Sequence, residues 1–106
     1  MLMYPPFTEF IKIQFSSVNK MKARDMANSF YSEVKAFTNS NDFVGEIYPV
    51  AESPLFKLNG RYRYRFLLKT PYRRKLYNLL RTMYDQYITN KDNVSVTIDV
   101  NPNNLY

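Results

Sequence analysis

The chain has 106 residues, 45% hydrophobic and 17% aromatic, with ten tyrosines, no cysteine and no histidine. This is the length of one domain, residues 1–106, able to bury a modest core; the missing residue types exclude disulfides, the common zinc sites, thiol nucleophiles and histidine general bases. The formal net charge is +6, and Ser53 to Tyr84 holds nine of the fifteen cations and none of the nine acids.

That polarisation is the footprint of a polyanion partner, against the plainer alternative of a solvated charged face. No apolar run is long enough to span a bilayer, and the amino terminus lacks a charged segment followed by a signal-like apolar stretch. The expectation is a soluble, cytoplasmic chain without a membrane partner.

After "MLMYPPF", where Pro5 and Pro6 forbid an early helix, "FTEFIKIQF" alternates as a strand with Ile11, Ile13 and Phe15 inward and Lys12 and Gln14 outward. From Asn19 to about Phe37, Ala23, Met26, Ala27, Phe30, Val34 and Phe37 recur at three and four, a helical stripe that Ser17 or Asn19 is suited to cap. "TNSND", Thr38 to Asp42, reads as a polar breaker. "FVGEIYPV" reads as a short strand that Pro49 confines to a sheet edge, and "AESPLFKLN" as a loop.

In Arg61 to Lys69 the period of two puts Tyr62, Tyr64, Phe66 and Leu68 on one face and Arg61, Arg63, Arg65, Leu67 and Lys69 on the other. Gly60 permits the turn that precedes them. Thr70 is placed as the N-cap of a second helix with Pro71 in its first turn and Leu76, Leu79, Leu80, Met83 and Tyr87 as the buried stripe. "TNKDN" ends that helix, and "VSVTIDV" alternates with Val94, Val96, Ile98 and Val100 inward. The order βαββαβ predicts an α+β, ferredoxin-like split βαβ sandwich, a four-stranded antiparallel sheet with two helices on one face.

With the aromatic face of the Arg61 strand under the helices, the arginines and Lys69 face solvent beside Lys12, Gln14, Ser95 and Thr97. Alternate strand residues stand roughly 6.6 Å apart, a pitch that successive phosphates of an extended strand can follow, and guanidinium forks grip phosphate oxygens bidentately. The alternative is that these arginines keep the face soluble and pair with Asp99 or Glu46. Arg73, Arg74 and Lys75 crowd the start of the second helix, where cations are disfavoured by the helix dipole; an anion held there by backbone N–H groups and side chains would offset that. Tyr72 and Tyr77 are placed either to stack on bases or to pack. The candidate contacts are therefore Arg61, Arg63, Arg65, Lys69, Arg73, Arg74 and Lys12.

No Gly-rich phosphate loop, placed carboxylate pair or nucleophile motif is present, so no catalysis and no cofactor are expected. An acylphosphatase-like activity, also found on ferredoxin-like folds, is a distant third reading because the loop does not match.

"YPPF", "NGRYRYRFLLK" and "IDVNP", in that order and spacing, resemble the carboxy-terminal domain family of primosomal protein N′, the PriA-type replication-restart helicases. The resemblance runs from Tyr4 to Tyr106 and is most specific at Gly60 to Arg63; Asn101 stands where the family commonly has aspartate. It implies a parent that is a 3′-to-5′ DNA helicase using ATP and Mg²⁺ with a cysteine zinc-binding region, none of whose motifs are in these residues. It also implies a nucleoid-associated accessory domain contacting fork or single-stranded DNA, with single-stranded DNA-binding protein and primosome proteins as partners. The competing reading is a protein-interaction module that docks on the helicase body or on an acidic partner tail.

Overall fold

Strand β1, Glu9–Ser17, buries Ile11, Ile13, Phe15 and Ser17 completely, as its alternation requires. It opens a computed structural model that describes residues 9–40, 45–71, 74–89 and 93–101, with backbone alone over 54–58. Helix α1, Lys20–Ser40, follows at once. Asn19 caps it by accepting the Lys22 N–H on Oδ1 at 3.1 Å, and Ser17 Oγ accepts the Asn19 N–H at 3.0 Å, so both expected capping residues take part. Its buried stripe is Ala23, Ala27, Phe30, Val34 and Thr38.

The polar run from Thr38 does not stop α1, which continues to Ser40. Thr38 and Ser40 donate their hydroxyls back to the Lys35 and Ala36 carbonyls at 2.8 and 3.0 Å, bonding into the helix instead of competing with it.

Strand β2 is the two-residue edge piece Glu46–Ile47. Gly45 sets its approach: φ is +136°, and a Cβ there would lie 2.2 Å from the Lys69 carbonyl oxygen. Only glycine lets the two backbones come so close.

The stretch expected as a loop is strand β3, Ala51–Leu58, paired with strand β4, Arg61–Thr70. The reason is the pair Asn59 and Gly60, both at positive φ (53° and 77°), a two-residue turn that returns the chain antiparallel to itself. Strand β3 keeps register at both ends but slips between Glu52 and Lys57, so that the stretch carrying Pro54, which has no N–H for the ladder, bulges opposite Arg63.

Helix α2, Arg74–Tyr87, buries Leu76, Leu80 and Met83. Thr70 closes β4 with its hydroxyl donating to the Pro71 carbonyl at 2.8 Å; Tyr72 and Arg73, between it and α2, lie outside the described residues. Strand β5, Ser95–Val100, is the last of the described elements.

The sheet is antiparallel throughout, in the order β2, β4, β1, β5, with β3 prolonging the β2 edge along β4. These four lanes with both helices on one face are the α+β ferredoxin-like fold that the order of elements predicts. Between the layers Phe66 meets Phe15, Phe30 and Tyr31 at centroid distances of 6.3, 6.1 and 5.3 Å, and Phe30 meets Tyr87 at 4.9 Å. Each fully buried ring of this kind stabilises by about 1.5–3 kcal/mol. Tyr87 also hydrogen-bonds through its hydroxyl to Glu33, tying α2 to α1. Along β5 the inward set weakens from buried Val94 and Val96 through half-buried Ile98 to Val100, which is 45% exposed, because β5 is an outer lane and α2 does not cover its end.

Candidate nucleic-acid interface

Cross-strand partners in an antiparallel sheet share a face, so the register defines the side away from the helices. Gln14 pairs with Arg65 and with Thr97, Ser16 with Arg63 and with Ser95, Lys12 with Leu67 and with Asp99, and Phe10 with Lys69. Lys69 also faces Glu46, and Arg65 faces Ala51. The candidate residues Lys12, Arg61, Arg63, Arg65 and Lys69 are thus brought onto one face.

They are not equivalent on it. Arg61 donates Nε–H to Ser16 Oγ at 2.9 Å and its Nη2 group to the Ser16 carbonyl at 2.8 Å and to Ser95 Oγ at 3.1 Å. One side chain from β4 thereby crosses β1 and reaches β5, and three of the five guanidinium donors are spent inside the protein. Ser95, expected on this face, and Ser16, which no charge or motif argument singles out, supply the acceptors.

Arg63 and Arg65 are half-buried, and the Nε atom of each is buried with no hydrogen-bond partner. Their cross-strand partners are Ser16, Gln14 and Ala51, none of them acidic. The bulge of β3 lies opposite Arg63. Buried Ser53 at its start approaches Gln14 Oε1 at 3.4 Å, and strand lanes are about 4.8 Å apart, so this contact two lanes away has to pass over β4.

The carboxylates expected as partners of the arginines stand opposite the lysines instead, Asp99 across from Lys12 and Glu46 across from Lys69. Lys69 Nζ further lies 5.8 Å from the Phe10 ring centroid, within cation–π range. Arg74 and Lys75 are exposed in the first turn of α2, while Arg73 lies outside the described residues. Tyr77 packs: it is partly buried against the core and its hydroxyl bonds to Glu9 of β1.

Among the described residues no group of three or more His, Cys, Asp or Glu is placed to hold a metal ion, and no helix is long and apolar enough to cross a membrane. The phenols of Tyr48 and Tyr87 are held above the ordinary tyrosine value of 10.0, Tyr48 chiefly by its hydrogen bond to Glu46 and Tyr87 chiefly by burial, with its bond to Glu33 adding to it.

Residues 1–103 match the model of the primosomal protein N C-terminal domain. The replication restart protein PriA of Haemophilus influenzae is 30% identical over 104 residues, an alignment covering 95% of this chain and 13% of that protein. The chain therefore spans about one-eighth of the length of this curated relative. Two designed proteins share the fold: Ferredog-Diesel (TM-score 0.50, 12% identity, covering 87% of this chain and 83% of that one) and LFR1 1 with ferredoxin fold (TM-score 0.52, 13% identity, 91% and 86%). With a matching family model over nearly its whole length, the chain belongs to the primosomal protein N C-terminal domain family.

Proposed function

We propose that this domain is an accessory DNA-binding module of a replication-restart protein, gripping the phosphate backbone of branched or single-stranded DNA with the sheet face opposite its helices. The observation that carries the reading is the pair Arg63 and Arg65. They are neighbours on one face of one strand, opposed by hydroxyl, amide and methyl groups instead of carboxylates, each with a buried Nε that no protein group satisfies. A buried donor without an acceptor costs about 1–3 kcal/mol, and a phosphate gripped by the outer N–H groups of the two half-buried forks supplies the negative charge that no cross-strand carboxylate provides.

Lys69 and Lys12 act as secondary contacts, since each is balanced by an acid across the strand. Arg74, exposed in the first turn of α2, is a further candidate contact beyond the sheet face, and Arg73 is proposed with it from the sequence alone. Arg61 serves mainly to hold the sheet together. The kinship to a replication restart protein supports the same direction.

The test is direct binding of the chain to single-stranded, forked and duplex DNA as salt is raised. Several phosphate contacts give a log affinity that falls linearly with log salt, by about 0.7 to 0.9 per contact. A flat salt response, or no binding at low salt, refutes the reading. In that event a protein-interaction role, on the body of the parent protein or on another component of the restart machinery, becomes the leading one.

A further inference from the structure

The outer edge of β5 borders a trough that the DNA reading leaves unused. It lies between α2 and β5, has a volume of about 540 Å³, and is lined by Tyr77, Leu80, Arg81, Tyr84, Ile98 and Val100 among others. That size is within the range of ligand-binding clefts. Val100 is 45% exposed along it and Ile98 half-buried.

The backbone beside the trough is equally open. The Asn101 N–H donates to the Phe10 carbonyl at 2.6 Å, which fixes the phase of β5. Backbone groups alternate in direction along a strand, so Ser95, Thr97 and Asp99 turn theirs to β1, while Val96, Ile98 and Val100 turn theirs outward. Among the described residues no strand pairs with that edge. Val96, Ile98 and Val100, which line the trough together with Thr97, are therefore the residues of β5 whose N–H and C=O groups no described strand takes up.

We propose that this edge and trough form a docking site for an extended segment of a protein partner, about six residues long, which adds to the sheet beyond β5. Backbone pairing supplies the register, and alternate apolar side chains of the segment enter the trough, the usual economy of strand addition. Arg81, exposed at the rim, selects an acidic side chain in the segment. A second copy of this chain fits poorly: an isologous contact would bring the same Arg81 patch, on a chain of net charge +6, against itself. Nucleic acid fits poorly too, for it offers no ladder of alternating backbone donors and acceptors.

The experiment selects displayed twelve-residue peptides on the immobilised 106-residue chain and maps the enriched ones on the ¹⁵N-labelled chain. The expected result is a shared alternation of apolar residues with an acidic position, at least tenfold slower exchange of the Val96, Ile98 and Val100 amides on binding, and no disturbance around Arg63. Arg81→Glu should reverse the charge preference of the selected peptides. Val100→Pro should weaken binding about fivefold while leaving the fold intact, since that N–H is not used by β1. Three results overturn the proposal: no enrichment, enriched peptides that perturb other amides or ignore Arg81→Glu, or slow exchange of these three amides already in the free chain. The last would mean that a segment of the chain itself, or a second copy, occupies the edge.

Discussion

Replacing Arg61 by methionine keeps most of the side-chain stem and removes the fork, so the change isolates the three hydrogen bonds to Ser16 Oγ, the Ser16 carbonyl and Ser95 Oγ. Arg61 is half-buried, so each bond belongs at the lower end of the usual 0.5–1.5 kcal/mol range. Together they predict a loss of about 2 kcal/mol. For a domain of this size that lowers the melting temperature by roughly 10 °C. Arg61→Lys should lose nearly as much, because an ammonium cannot span the three acceptors as a planar fork does. The assay is thermal and urea unfolding followed by far-UV circular dichroism, beside Arg63→Gln and Arg65→Gln, which should not destabilise the chain, since each removes a buried donor that lacks an acceptor. Should Arg61→Met melt like the unaltered chain while DNA binding collapses, Arg61 is a ligand contact and the division of labour drawn here is wrong.

Phe66→Ala removes a fully buried ring that meets three other rings, and should cost about 3–5 kcal/mol in urea unfolding; an unchanged midpoint would reverse the assigned facing of β4. Gly45→Ala forces a Cβ against the Lys69 carbonyl at a positive φ, and should part β2 from β4, seen as lost exchange protection of the Tyr48 amide that bonds to the Leu67 carbonyl. Tyr87 holds its proton more tightly folded than unfolded, so its contribution to stability is complete below pH 10 and declines as pH rises above that value. Tyr87→Phe should make the alkaline fall in stability shallower, and an identical fall in both proteins would remove Tyr87 as a cause.

The fold was legible because the two periodicities are clean where burial is strong. Ile11, Ile13 and Phe15 alternate, Phe30 and Val34 recur by helical turns, and Tyr64, Phe66 and Leu68 alternate again; each set points into the same core. What escaped was β3, whose pattern is interrupted by Pro54 and a bulge, although the Asn59-Gly60 pair after it is among the strongest hairpin signals a sequence offers. The end of α1 escaped because Thr38 and Ser40 look like breakers until their hydroxyls are seen bonded to the preceding turn.

For the candidate site, period two was enough to put Arg61, Arg63 and Arg65 on one face. Their different duties follow from which residues β1, β3 and β5 set across from them, and register between distant strands is not written locally in any of them. Arg61 finds two serines and a carbonyl, whereas Arg63 and Arg65 find no acid across from them. The acids expected to neutralise the arginines fall opposite lysines for the same reason.

The central claim, that Arg63 and Arg65 hold phosphate, is tested most directly by the salt dependence of single-stranded DNA binding for the unaltered chain and for the double variant Arg63→Gln, Arg65→Gln, with Lys35→Gln on the exposed side of α1 as the control. Loss of two phosphate contacts predicts weaker binding for every sequence alike and a salt slope shallower by about 1.4, with the control unchanged and the melting temperature not lowered. An affinity and slope identical to those of the unaltered chain would contradict the account and leave the arginine face as a solvated surface.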